Sequence, residues 1–128
     1  MNYVARAVVP AEKRYLNCSK EEAVVPLSHC LYNIDKVRAG DKVIIVEGVM
    51  DALKVEKVLK ERAVAIFSKQ MKPAQKLLLI EKGVGEVNVM LDRDAWVETL
   101  HLTSDLAGIL HCPIHPTFLT IKDPGELR

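Results

Sequence analysis

The run Val43-Ile44-Ile45-Val46 constrains this chain more than any other stretch, because four consecutive β-branched residues stand there without a polar alternation. Such side chains suit extended backbone. With no exposed position in the run, the strand must be covered on both faces, as in a parallel sheet between helices. Burying each side chain is worth roughly 1.5–3 kcal/mol, so a carboxylate at the next position, Glu47, is not there for packing. Gly48 reads as the residue that lets the chain turn sharply. Asp51 then falls in the first turn of a following helix, where the helix dipole favours an anion.

The pattern returns downstream. Residues 86–91 read as a second buried strand and end in Asp92-Arg93-Asp94, again before a helical pattern. If both strands belong to one parallel sheet, their carboxyl ends share the edge where open α/β sheets bind ligands. If the strand continues through residue 94, Asp92 and Asp94 point to one face; a helix N-cap is the structural alternative for Asp94. Two carboxylates about 4 Å apart repel by roughly 4 kcal/mol at an effective dielectric of 20. Such a cluster calls for a cation, and all-oxygen donors suit magnesium or manganese rather than zinc.

Between and after these strands the pattern alternates. Residues 51–62 carry Ala52, Val55 and Leu59 on one helical face, with Glu56/Lys60 and Lys57/Glu61 pairs outside. Residues 63–67 form a strand, and Pro73 opens a helix that runs to Lys82 before Gly83. A third helix spans residues 95 to about 110, with Trp96, Leu100, Thr103 and Ala107 at helical spacing and Trp96 in the core. The last strand lies within residues 109–119, where prolines confine it to an edge. Upstream, residues 3–9 read as a strand, Asn33 or Asp35 caps a short helix over 34–38, and Gly40-Asp41 turns into the central strand. The expected fold is α/β: a mostly parallel central sheet of about four strands flanked by helices, with a small N-terminal appendage.

At 128 residues the chain suits one domain. Its 18 basic residues against 17 acidic ones leave no marked basic excess for nucleic acid, and 5% aromatics leave little for a base-stacking platform. No apolar run reaches the roughly 18 residues of a membrane span and no signal-peptide core opens the chain, so a cytoplasmic protein without membrane contact is expected. Cys18, Cys30 and Cys112 lack C-x-x-C spacing and read as free thiols. Prolines at 113 and 116 argue against a metal site at His111, Cys112 and His115.

In order, Val46-Glu47-Gly48-Val49-Met50-Asp51-Ala52, Leu91-Asp92-Arg93-Asp94-Ala95 and Lys122-Asp123-Pro124-Gly125-Glu126-Leu127 resemble the three acidic motifs of the Toprim domain. The version is that of bacterial and phage DNA primases, closest to phage-like ones. Arg14-Tyr15-Leu16-Asn17 and Leu31-Tyr32-Asn33 resemble the segment that precedes Toprim in those primases. The resemblance implies a Toprim domain over residues 41–128, with residues 1–40 as the end of the primase basic subdomain.

It also implies synthesis of RNA primers on single-stranded DNA from ribonucleoside triphosphates. A zinc-binding or basic primase module and a replicative helicase are the implied partners. Asp92, Asp94, Asp51 and Asp123 are then ligands for magnesium or manganese. Glu47, with Asp92 and Asp94, is catalytic, and Glu47 is the general acid or base. Arg14 and Tyr15 would contact nucleotide or template, and Lys69 could meet phosphate as a point charge. Gly125 stands where primases often carry an aspartate, Val97 where the bacterial pattern has glycine, and no G-x-x-x-x-G-K-[ST] loop is present. A stand-alone Toprim nuclease, or a metal- or nucleotide-binding module that works only with a partner, are the alternatives.

Overall fold

In the computed structural model, which describes residues 29–127, the β-branched run forms strand β1, Lys42–Val46. It is followed by α1 (Val49–Leu59), β2 (Arg62–Ala65), α2 (Pro73–Lys82), β3 (Glu86–Val89), α3 (Trp96–Ile109) and β4 (Ile114–Pro116). These four strands pair in parallel, in the order β2-β1-β3-β4. The α/β expectation therefore holds, with the proline-bearing last strand at an edge. Among the described residues no helix is long and apolar enough to cross a membrane.

The lack of alternation in β1 has the expected cause: Val43, Ile44, Ile45 and Val46 are all buried. Val43 and Ile45 pack with Leu79 of α2 and Leu102 and Leu106 of α3. Ile44 and Val46 pack on the opposite face with Ala52 and Val55 of α1. Helix α1 thus leads from β1 towards β2 over one face, while α3 leads from β3 towards β4 over the other. The reversal leaves a crevice between the carboxyl ends of β1 and β3, the switch point at which open α/β sheets take ligands.

Local punctuation sets the ends of these elements. Pro73 opens α2, and Gly83 closes it in the left-handed region at φ 66°. Gly40, at φ 87°, forms the turn before β1 and donates its N–H to the Gly83 carbonyl at 2.8 Å. Upstream, Ile34–Lys36 is a 3-10 helix preceded by Asn33, whose side chain makes no cap. Instead the Asn33 amide donates to Glu56 Oε2 (2.8 Å) and the Ala63 carbonyl (3.2 Å). Leu31 and Val37 sit in the core, and Tyr32 pairs antiparallel with Ala65. The strand expected over 3–9 lies outside the described residues.

Three expectations are corrected. Trp96 is 58% exposed and Leu100 is 47% exposed, while Thr99, Leu102 and Leu106 are buried. Helix α3 is apolar on much of its circumference, so periodicity alone does not select its inner face. Burial of Thr99 is possible because its hydroxyl donates to the Ala95 carbonyl at 2.8 Å. Gly48 has an extended backbone at φ −119°, which any residue can adopt, and a Cβ there would touch only Asp51 Oδ2 at 3.6 Å. The turn does not require glycine. Cys30 is disulfide-bonded, whereas Cys112 is free; disulfide pairing follows no short sequence spacing, so the pattern carried no sign of it.

Gln75 is fully buried in α2 and ties three segments together. Its Nε2 donates to the carbonyls of Cys30 (2.8 Å) and Ile66 (2.9 Å), and its Oε1 accepts from the Lys72 N–H (2.8 Å). Gln75→Leu keeps the volume but removes these partners. Leaving a buried polar group unpaired costs about 1–3 kcal/mol, so urea unfolding should show a loss of about 2–4 kcal/mol with the slope unchanged.

Candidate functional site

Four parallel strands end on one edge, and the loops that leave them carry the acids. The β1 ladder continues one step further, since the Phe67 N–H donates to the Glu47 carbonyl at 2.7 Å. Glu47 therefore starts from a fixed backbone. Its side chain is partly buried, and its Oε2 accepts the Asp92 N–H at 3.0 Å. Across the crevice, the glutamate after β1 is thus held by the loop after β3.

Asp51 lies in the first turn of α1, as expected, and its Oδ1 accepts the Gly125 N–H at 2.9 Å. Gly125 belongs to a 3-10 turn, Pro124–Glu126, that follows Asp123. A Cβ at position 125 would stand 2.9 Å from Asp51 Oδ1 and 3.0 Å from Asp123 Oδ1. The glycine leaves that space to the two aspartates, and its amide steadies one of them. Nothing in the residue type at 125 signalled a main-chain donor.

Asp92 and Asp94 do not share a strand face. Strand β3 stops at Val89 and residues 93–94 form a turn, so the two-residue period does not reach them. Asp92 is partly buried and its Oδ1 has no hydrogen-bond partner among the described residues. Asp94 is exposed and ion-pairs with Lys69 Nζ at 3.5 Å. It is not the N-cap of α3, a place taken by Ala95. Lys69 follows β2 and reaches the same edge. Arg14 and Tyr15 lie outside the described residues.

Burial raises the Asp51 carboxyl above its ordinary value, Asp123 adds to the effect, and the amides of Gly125 and Gly48 oppose it. Asp92 is raised by burial first, then by the charges of Asp51, Asp123 and Asp94, with Lys69 opposing. Glu47 is raised by burial and by Asp92 and Asp94, against the Asp92 amide and Lys69. The acids feel one another across the crevice.

A raised carboxyl binds its proton more tightly in the folded than in the unfolded chain, so its contribution favours folding at low pH. That contribution is lost as pH rises from the ordinary carboxylate value through the raised folded one. In the metal-free protein the contribution of these three groups to thermal stability should therefore fall across that window. Asp92→Asn removes one of the groups responsible, so it should raise Tm at pH 7 and leave it nearly unchanged at pH 3. A lower Tm for Asp92→Asn at pH 7 would contradict this.

Among the described residues no three His, Cys, Asp or Glu side chains stand close enough together to hold a metal ion as they are. The acidic rim nevertheless has the chemistry for a hard cation. Its donors are all carboxylate oxygens, one buried oxygen of Asp92 is without a partner among the described residues, and Gly125 keeps open the space beside Asp51 and Asp123. A concavity of about 870 Å³ adjoins it, lined by Lys54, Phe118, Ile121 and Gly125 among others.

No family model matches the chain. It is 29% identical over 98 residues to the DNA primase of Staphylococcus aureus (strain COL), covering 73% of this chain and 16% of that protein. The protein of strain MRSA252 matches to the same extent. The chain thus spans about a sixth of these curated relatives. Its fold is similar to the primase fragment of the bacteriophage T7 primase-helicase protein, with TM-score 0.61 and 20% identity over 77% of this chain and 43% of that one. It is also similar to a DnaG primase catalytic domain bound to single-stranded DNA, with TM-score 0.61 and 21% identity over 78% of this chain and 34% of that one.

Proposed function

We propose that this chain, which has the fold of a DNA primase Toprim-type domain, is the nucleotidyl-transfer portion of a primase that makes RNA primers on single-stranded DNA. The observation that carries the reading is the convergence of Glu47, Asp51, Asp92 and Asp123 at the carboxyl edge of the sheet, coupled in charge across the β1/β3 crevice. Residues 41–128 form the Toprim unit and residues 1–40 the end of a basic subdomain.

Asp92, Asp94, Asp51 and Asp123 would hold magnesium or manganese, and such a cation polarises phosphoryl oxygens and aligns the reacting groups. Glu47 is partly desolvated and oriented by the Asp92 amide. It would move the proton of the attacking hydroxyl or of the leaving group through its other carboxylate oxygen. Lys69 would turn from Asp94 to a phosphate once the acids are neutralised. Arg14 and Tyr15 would contact nucleotide or template. The expected partners are ribonucleoside triphosphates, single-stranded DNA, a zinc-binding or basic primase module and a replicative helicase, in the cytoplasm.

The same rim suits phosphodiester cleavage, so one sample should be tested for both. With labelled ribonucleotides, magnesium, single-stranded DNA and a supplied basic primase module, the reading expects short RNA products and an intact template. Template cleavage without synthesis would favour the nuclease alternative.

A further inference from the structure

Arg93 stands between two rim aspartates, and the proposed chemistry leaves it without a role. Its main-chain N–H donates to the Lys122 carbonyl at 2.8 Å, and its Nη1 donates to the Thr120 carbonyl at 3.2 Å. Both acceptors lie just upstream of Asp123. Residues 117–123 form neither helix nor strand, so few main-chain bonds fix where that aspartate sits. Downstream, Glu126 Oε1 accepts the Lys122 N–H at 3.1 Å and the Gly125 N–H meets Asp51. The Asp92 N–H, next to Arg93, holds Glu47. Hydrogen bonds therefore run from Glu47 through residues 92–93 and 120–126 to Asp51, and the Arg93 side chain spans the gap between the loops after β3 and β4. Arginine suits that place, because its fork of donors can hold a carbonyl while the charge stays in water.

We propose that Arg93 is a positioning residue: it straps the segment carrying Asp123 and the Gly125 amide to the loop carrying Asp92, and so sets the spacing of the rim acids for a divalent cation. The second half rests on the metal reading above. The strap itself is read without metal, from NMR order parameters of residues 120–126. Arg93→Ala should lower them from the rigid range, about 0.85, towards 0.6, with β1 and α2 unchanged. Arg93→Lys should recover most of the loss.

The effect on the cation is read from manganese titration. Groups that orient metal ligands typically change affinity by about 10–100-fold, so Arg93→Ala should weaken binding by about 10-fold. In an Asp123→Asn background it should weaken binding by no more than about 2-fold, because the ligand it positions is already gone. Unchanged order parameters would overturn the strap. Equal weakening in both backgrounds would overturn its action through Asp123. If the unmutated chain binds no manganese, the metal reading fails and the order parameters still decide the strap.

Discussion

Glu47→Gln should fold normally and lose about 10²–10⁴-fold in nucleotidyl-transfer turnover, the range that a positioned acid or base supplies. The substitution keeps the shape of the side chain, and an amide oxygen can still accept the Asp92 N–H that holds Glu47. What it removes is the ability to exchange a proton at the rim. Burial lifts the Glu47 carboxyl above its ordinary value in the metal-free chain; with the cation bound, the wild-type pH–rate profile should still carry a limb from this group that is absent in the variant. The measurement needs whatever module restores activity. Turnover within about 3-fold of wild type would rule out the proton-transfer role, since such a change is only about 0.7 kcal/mol of barrier.

The purified 128-residue chain alone should make few or no primers, and a basic primase module should raise its yield by at least about 100-fold. Positioning supplies a large share of phosphoryl-transfer catalysis, and effective molarities for well-held groups are large. Template binding draws on phosphate neutralisation by Lys and Arg and weakens steeply with salt. A chain with 18 basic and 17 acidic residues that also gathers acids on its reactive rim has little basic surface to offer. Lys69 is engaged by Asp94, Lys76 by Asp105 and Arg62 by Glu56. Single-strand binding should therefore be weak and salt-sensitive. Robust template-dependent synthesis by the chain alone at physiological salt would show that it carries its own template site.

How far the sequence reached depended on whether side-chain type or backbone geometry made the feature. Strand β1 was legible because burial on both faces leaves a continuous β-branched run. Helix α2 was legible to the residue because Pro73 and Gly83 punctuate it. The rim acids were legible because carboxylates at strand ends have no packing purpose. Helix α3 was misread because several of its faces are apolar, so only tertiary context selects Thr99, Leu102 and Leu106 over Trp96 and Leu100. The bonds that organise the rim were not legible, because the amides of Asp92 and Gly125 are donors that any residue would supply. Gly125 was legible only as a departure from the primase pattern, and the N–H it supplies to Asp51 was not. Arg93 was visible inside its motif, but its partners are carbonyls that no residue pattern marks.

If the carboxyl edge of this sheet binds a divalent cation through its aspartates, calorimetric titration with manganese will read that binding. The wild-type chain should bind, and Asp92→Asn combined with Asp94→Asn should weaken binding at least about 100-fold while retaining the fold, since each removed carboxylate takes both a ligand and a charge. A double variant that binds manganese as tightly as the wild type would mean that these aspartates do not hold the cation.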